Sequence, residues 1–425
     1  MSATRHRGWA RQYSVLGLLA CLGAPACGSS AKGEGEQGGT SSGGSAGSST
    51  QGGAAGTSAN AGTGGQAAGG QAGTQPVASP SAADLARQLG TQSVLLVGLG
   101  GVDAEEIQTQ GIQVALYERY LVGVGVDAWP YWNQPDGAYV DRVVGAAATE
   151  LGAVPMFTLY QMATAGDGNI SAVIGDDALM SDYWAQTKLL FARLAIYDKP
   201  ALVNVEPDFW GYAMFEAPAQ DPAQLTVKVS LEPDCADLPD DLGGYTACVL
   251  RLAQAAPKAF VGFSPSDWGF GTDAVVAFMK DAGADRGAFV VMQTLDGDAG
   301  CFEAKANDKC SRGGSGWYWD ESNTTSPNFH EHLAEAKKYH DQMGLPLIWW
   351  QTPLGVPAAS PGGTVNHFRD NRAHYFLTHA SELVAAGGLG ITFSPGDDQE
   401  TTLYTDGGQF RELSAQYWSA PAPLE

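Results

Sequence analysis

The stretch Ala201-Leu202-Val203-Asn204-Val205-Glu206-Pro207-Asp208-Phe209-Trp210-Gly211-Tyr212 passes from a short apolar run into two carboxylates and a group of aromatic rings. Val and Leu favour a buried strand, and Pro207 has no N–H to give a sheet ladder and ends it. Glu206 and Asp208 are thereby left at the strand's mouth beside Phe209, Trp210 and Tyr212. Acids and rings delivered to a strand end fit an α/β fold, where active sites gather at that end. One acid of a pair can protonate a departing glycosidic oxygen, and flat rings can stack on sugar faces.

Working outward, apolar strand-like runs alternate with amphipathic helical runs, the pattern of a parallel sheet. Strands are predicted over 93–99, 119–124, 155–160, 201–205, 258–263, 288–293, 346–350 and 389–393. That is about the number a (β/α)8 TIM-type barrel requires. Helices are predicted over 139–151, 182–196, 272–281, 329–343 and 371–386, where Ala, Leu and charged residues recur at helical spacing. A doubly wound open sheet fits less well. Gly98-Leu99-Gly100-Gly101 is followed by Val102-Asp103, without the spacing of a phosphate-binding fingerprint.

The barrel is expected over 81–425, preceded by two other segments. In residues 1–27, Arg5, Arg7 and Arg11 lead into an apolar run and then small residues and cysteine, the layout of an export signal. Cys21 and Cys27 both stand where a lipoprotein signal is cut, and the longer apolar core before it favours Cys27 as the lipidated residue. Residues 28–80 are Gly, Ser, Ala, Thr and Gln with almost no large apolar side chain, a composition that cannot offset chain entropy by burial. The segment resembles the stalks of bacterial surface lipoproteins. The expected location is the outer membrane or cell surface, with secretion as the alternative, and the only membrane contact expected is the N-terminal lipid.

A net charge of −23, from 46 acidic against 23 basic residues, argues against nucleic acid and anionic membranes as partners and suits a neutral ligand. Four cysteines in the body form two local pairs, Cys235 with Cys248 and Cys301 with Cys310. Export favours disulfides, and local pairing is the simplest of the three connectivities. No Cys-x-x-Cys or tight Cys/His cluster is present, so neither metal nor cofactor is expected.

In a barrel the active residues follow the strands on one rim. Read this way, the strand ends offer Asp127, Trp129 and Trp132, then Tyr160 and Gln161, then Phe209 and Trp210, then Trp268, Trp350, Gln351 and His367 as sugar-binding candidates. Carbohydrate binding would account for so many tryptophans there. The catalytic candidates are Glu206 as proton donor, with Asp208, Asp267 or Asp296 as its partner.

These residues resemble the (β/α)8 glycoside hydrolases, in which a Glu ending the fourth strand commonly serves as acid/base, a place that Glu206 matches. The same families often carry a nucleophilic Glu at the end of the seventh strand, where this chain has Trp350-Gln351. Val205-Glu206-Pro207-Asp208 is also similar to a strand of family 6 cellulases, whose main acid is an Asp in the loop before it, and here that loop offers Asp167. The resemblance implies hydrolysis of glycosidic bonds in a poly- or oligosaccharide. The missing acid at Gln351 favours the alternative, a carbohydrate-binding surface protein without catalysis.

Overall fold

The computed structural model describes residues 80–425 apart from 167, 268, 307–309, 311–316, 358–366 and 397–399. The export signal, Cys21, Cys27 and the Gly/Ser-rich segment lie outside the described residues. Eight strands close into a barrel in sequence order, β1 (Leu96–Gly100), β2 (Leu116–Val122), β3 (Val154–Tyr160), β4 (Ala201–Val205), β5 (Ala259–Phe263), β6 (Phe289–Gln293), β7 (Leu347–Pro353) and β8 (Gly388–Ser394). Every neighbouring pair is parallel, and β1 closes on β8 through Leu96↔Gly390 to Leu99↔Phe393. This is the (β/α)8 fold expected from the alternating pattern.

The helices stand between the strands because each has an apolar stripe and a side chain to start it. Asp176 caps the helix Asp177–Tyr197 by accepting from the N–H groups of Ala178 and Leu179, both at 2.9 Å. Asn328 caps Phe329–Met343 through Glu331 N–H at 2.9 Å. The segment predicted as one helix over 371–386 is two, Arg372–Thr378 and Ala380–Ala385, broken at His379. The helix Leu242–Ala253 was not expected, since Gly243-Gly244 reads as a loop. Gly244 is required there, because a Cβ would lie 1.8 Å from the Pro239 carbonyl oxygen.

Both expected disulfides are formed, Cys235–Cys248 with Cα atoms 5.6 Å apart and Cys301–Cys310 with Cα atoms 5.5 Å apart. A buried polar knot joins the loops that follow β6, β7 and β8. Asp298 accepts from Gly355 N–H at 3.1 Å and from the Thr401 hydroxyl, and its own N–H donates to Glu400 at 2.6 Å. Asp370 accepts from Ala299 N–H at 2.8 Å and pairs with buried Arg372 at 2.8 Å. Burial beside Asp370 and Glu400 pushes the Asp298 carboxyl well above the carboxylate range.

Candidate active site

At the end of β4 the chain leaves the sheet in a conformation that sequence could not show. Glu206 N–H still donates to Leu159 at 2.8 Å, as a strand residue would, but Glu206 has φ +52° and Asp208 φ +67°. Non-glycine residues rarely hold such angles, and they cluster where structure is bent to a purpose. Across the barrel Gln351, within β7, also has φ +56°.

The turn at Glu206 reverses the alternation of the strand. Leu202, Asn204 and Glu206 should share one face. Asn204 is indeed turned to the lumen, where its amide reaches Thr158 at 3.5 Å. The Glu206 carboxyl instead lies under the loop after β3, accepting from Gln161 N–H at 3.0 and 3.1 Å and from Met162 N–H at 3.0 Å. It also meets Tyr183, on the helix Asp177–Tyr197, whose hydroxyl is 2.6 Å from that of Tyr245 on Leu242–Ala253. Burial pushes Glu206 up to about 8, against the downward pull of the Met162 and Gln161 N–H groups. The raised value suits an acid, but Glu206 is 0% exposed and its oxygens hold loop backbone.

Asp208, two residues on, is the acid presented at the mouth. It is half-buried and accepts from the Tyr160 hydroxyl at 3.4 Å. A small pocket here is lined by Tyr160, Met162, Gly168, Glu206, Asp208 and Tyr212, among others. Tyr120 of β2 lies beside it, with ring centroids 6.2 Å from Tyr160 and 5.7 Å from Trp350. Burial raises the Tyr120 phenol well above its ordinary range, and the charges of Glu118, Asp208 and Asp296 add to that. Asp208, just past β4, and Asp296, beyond β6, therefore both help to raise the Tyr120 phenol.

The other expected residues divide. Asp267 is spent on its own loop, accepting from Gly269 N–H at 3.0 Å and Gly271 N–H at 3.1 Å. Trp350 is buried but touches Tyr120, and Gln351 accepts from the Gln293 amide at 2.9 Å. Trp132 is half-buried against Tyr139 at 5.1 Å, and Asp127 and His367 are exposed. Gln161 is buried and donates to the Gly123 carbonyl at 2.7 Å. Trp268 and Asp167 lie outside the described residues.

Phe209, Trp210 and Trp129 are not open platforms, although Phe209 borders the small pocket. They are 2%, 1% and 0% exposed. Phe209 and Trp210 pack on Tyr245 at 5.4 and 6.0 Å, behind the strand ends and against the helix layer. The expectation that carbohydrate binding explains the strand-end tryptophans is corrected here: large rings also fill the space where barrel and helices meet. His332, on the helix Phe329–Met343, is likewise buried. Its ring accepts from the Trp349 indole at 2.9 Å, and burial lowers it to about 3.

Sequence reading missed Glu118 and Tyr120. Starting β2 at Arg119 hid the inward alternation of 118, 120 and 122, because Tyr117-Glu118-Arg119 looks too polar for a buried strand.

No protein-family model and no curated protein matches the chain. Among solved structures, the endoglucanase Cel6 from Mycobacterium tuberculosis overlays with 18% identity and a TM-score of 0.33, across 54% of this chain and 61% of that one, less than two thirds of the endoglucanase. A Bacteroidetes-affiliated GH5 cellulase overlays with 10% identity and a TM-score of 0.45, across 79% and 94% of the two chains. The endo-1,4-β-D-mannanase from Thermotoga petrophila does so with 11% identity and a TM-score of 0.40, across 76% and 99%. At such identity and overlap these likenesses assign neither substrate nor catalytic residue to this chain.

Proposed function

We propose that the barrel hydrolyses glycosidic bonds in a poly- or oligosaccharide, with Asp208 and Asp296 as its working carboxylates. The observation that supports this reading is that Asp208 accepts from Tyr160, whose ring packs on Tyr120 beside Trp350, and that Asp208 and Asp296 both lie near enough to Tyr120 to help raise its phenol. One carboxyl gives its proton to the leaving oxygen as the glycosidic bond breaks. The other takes a proton from water as the water's hydroxyl joins the anomeric carbon, and exchange with solvent returns both carboxyls to their starting states. Glu206 is a positioning residue, tying the loop after β3 to the strand end that carries Asp208. On this reading the N-terminal cysteine signal would hold the enzyme at the cell surface, on Cys27.

A panel of polysaccharides, beginning with cellulose and β-mannan, tests it. Release of new reducing ends by purified protein is expected for at least one polymer. If every polymer is bound or ignored but none is cut, the hydrolase reading is lost. One observation favours a second reading, a binding protein: the strand-seven position holds Gln351, paired with Gln293 rather than offering an acid. Retardation in affinity electrophoresis without cleavage is the outcome it predicts.

A further inference from the structure

Among the described residues, five large apolar side chains stand exposed, and four of them, Val126, Tyr131, Phe215 and Tyr404, lie in the segments after β2, β4 and β8, on the rim that carries Asp208. The fifth, Ile196, is on the helix that precedes β4. A single exposed apolar residue needs no explanation, but Phe215 is not single. Its ring meets that of Phe270, from the segment after β5, with centroids 4.5 Å apart and planes tilted by 52°. In spite of that contact Phe215 is 59% exposed, and Phe270 is half-buried.

The pair is continuous with the pocket beside Asp208. Phe209, Tyr212 and Phe215 stand three residues apart on the helix Phe209–Glu216 and form one ridge of it. Phe209 and Tyr212 line the pocket together with Asp208 and Tyr160. Exposure rises along the ridge, from buried Phe209 through half-buried Tyr212 to Phe215. Each step adds about 4.5 Å of helix rise, the scale of one sugar ring. The backbone under both outer rings is held. Glu216 accepts from the Ser171 hydroxyl, and Asp267 accepts from Gly269 N–H at 3.0 Å and Gly271 N–H at 3.1 Å, the amides on either side of Phe270. Leucine would serve a contact between two loops as well as these rings do. What the rings add is a flat apolar face turned to water, which suits the C–H face of a pyranose.

We infer that Phe215 and Phe270 form an outlying platform for a neutral polysaccharide, holding a sugar of the chain beyond the one at the Asp208 pocket. The net charge of −23 favours a neutral polymer over an anionic one. The inference deepens the carbohydrate reading and rests on it for the ligand, but it requires binding and not cleavage.

Affinity electrophoresis through gels containing hydroxyethylcellulose, galactomannan or arabinoxylan tests it, with folding checked by melting temperature. Phe215→Leu and Phe270→Leu keep an apolar contact but lose a flat face. Each is expected to raise the apparent Kd for the best-retained polymer about threefold to tenfold. Phe215→Trp, which keeps a face, should bind as the wild type does. So should Ile196→Ser, which removes an exposed apolar side chain away from the rim. Where the polymer is cut, the leucine variants should raise KM more than they lower kcat. Two folded leucine variants that bind within about threefold of wild type would overturn the inference, and if they also turned a dimer into a monomer, the rings would belong to a contact with a second copy. If one fails to fold, the other decides. Equal loss in Phe215→Leu and Phe215→Trp would overturn it too, since packing and not a flat face would then be what matters. A wild type retained by none of the three polymers overturns it together with the carbohydrate reading. A wild type that is retained but cuts nothing, with binding lost in the leucine variants, removes the hydrolase reading and leaves the platform standing.

Discussion

Asp208 and Glu206 are two residues apart and do opposite things with the same functional group. The positive φ at Glu206 turns its carboxyl under the loop after β3, and the next turn brings Asp208 to Tyr160. Asp208→Asn is expected to leave the unfolding midpoint nearly unchanged and to lower kcat/KM by ~10²–10⁴-fold, the range of a lost general acid or base. Glu206 leaves a different mark, on stability. Folded, its carboxyl keeps a proton up to about 8, whereas unfolded it releases it near the ordinary 4.5. Between those values the folded chain binds more protons than the unfolded one, so stability falls as pH rises through the window, by about 1.4 kcal/mol per pH unit for each such group. Glu118, raised to about 7, contributes in the same direction. Urea denaturation at pH 5 and pH 8.5 should show wild type weaker at the higher pH, and Glu206→Gln should flatten the difference. A wild type that gains stability across this range would contradict the burial of both acids.

Among the elements, strand β4 was legible to the residue, and the other strands to within a few positions, because short runs of Val, Leu and Ile between turn signals have no other stable use in an alternating α/β chain. The helices 272–281 and 329–343 were equally plain from their spacing. What stayed hidden depends on angles and on burial. Positive φ at Glu206, Asp208 and Gln351 has no composition signal, since none is glycine. Nor does the sequence distinguish a tryptophan at a strand end that faces the mouth from one that faces the helices. Trp210 belongs to the second kind, packed on Tyr245 and, at 5.4 Å, on Phe263. Trp210→Ala is therefore expected to cost ~3–5 kcal/mol of stability, read from urea midpoints, rather than to act chiefly on ligand affinity. The Cys235–Cys248 bridge, with a sequence separation of 13, ties the loop after β4 to the helix Leu242–Ala253. Replacing both cysteines by serine should lower stability by ~2–3 kcal/mol on the chain-entropy account. An unchanged melting temperature would show that the bridge constrains little.

For the molecule as a whole, a closed barrel with its acids and rings at one rim, in a chain of net charge −23, favours a neutral polymer over an anionic one. Cleavage of a neutral glucan or mannan should exceed that of polygalacturonate, with a rate that changes little between low and moderate salt. The central claim is narrower than the choice of polymer: the Asp208 carboxyl at the mouth, not the buried Glu206, exchanges the proton with the glycosidic oxygen. Its most direct measurement is the rate of reducing-end release by wild type, Asp208→Asn and Glu206→Gln at equal folded concentration on the best-cleaved polymer. The account predicts that Asp208→Asn loses about a hundredfold or more while Glu206→Gln loses far less. Near-full turnover in Asp208→Asn, with Glu206→Gln inactive yet folded, would contradict it.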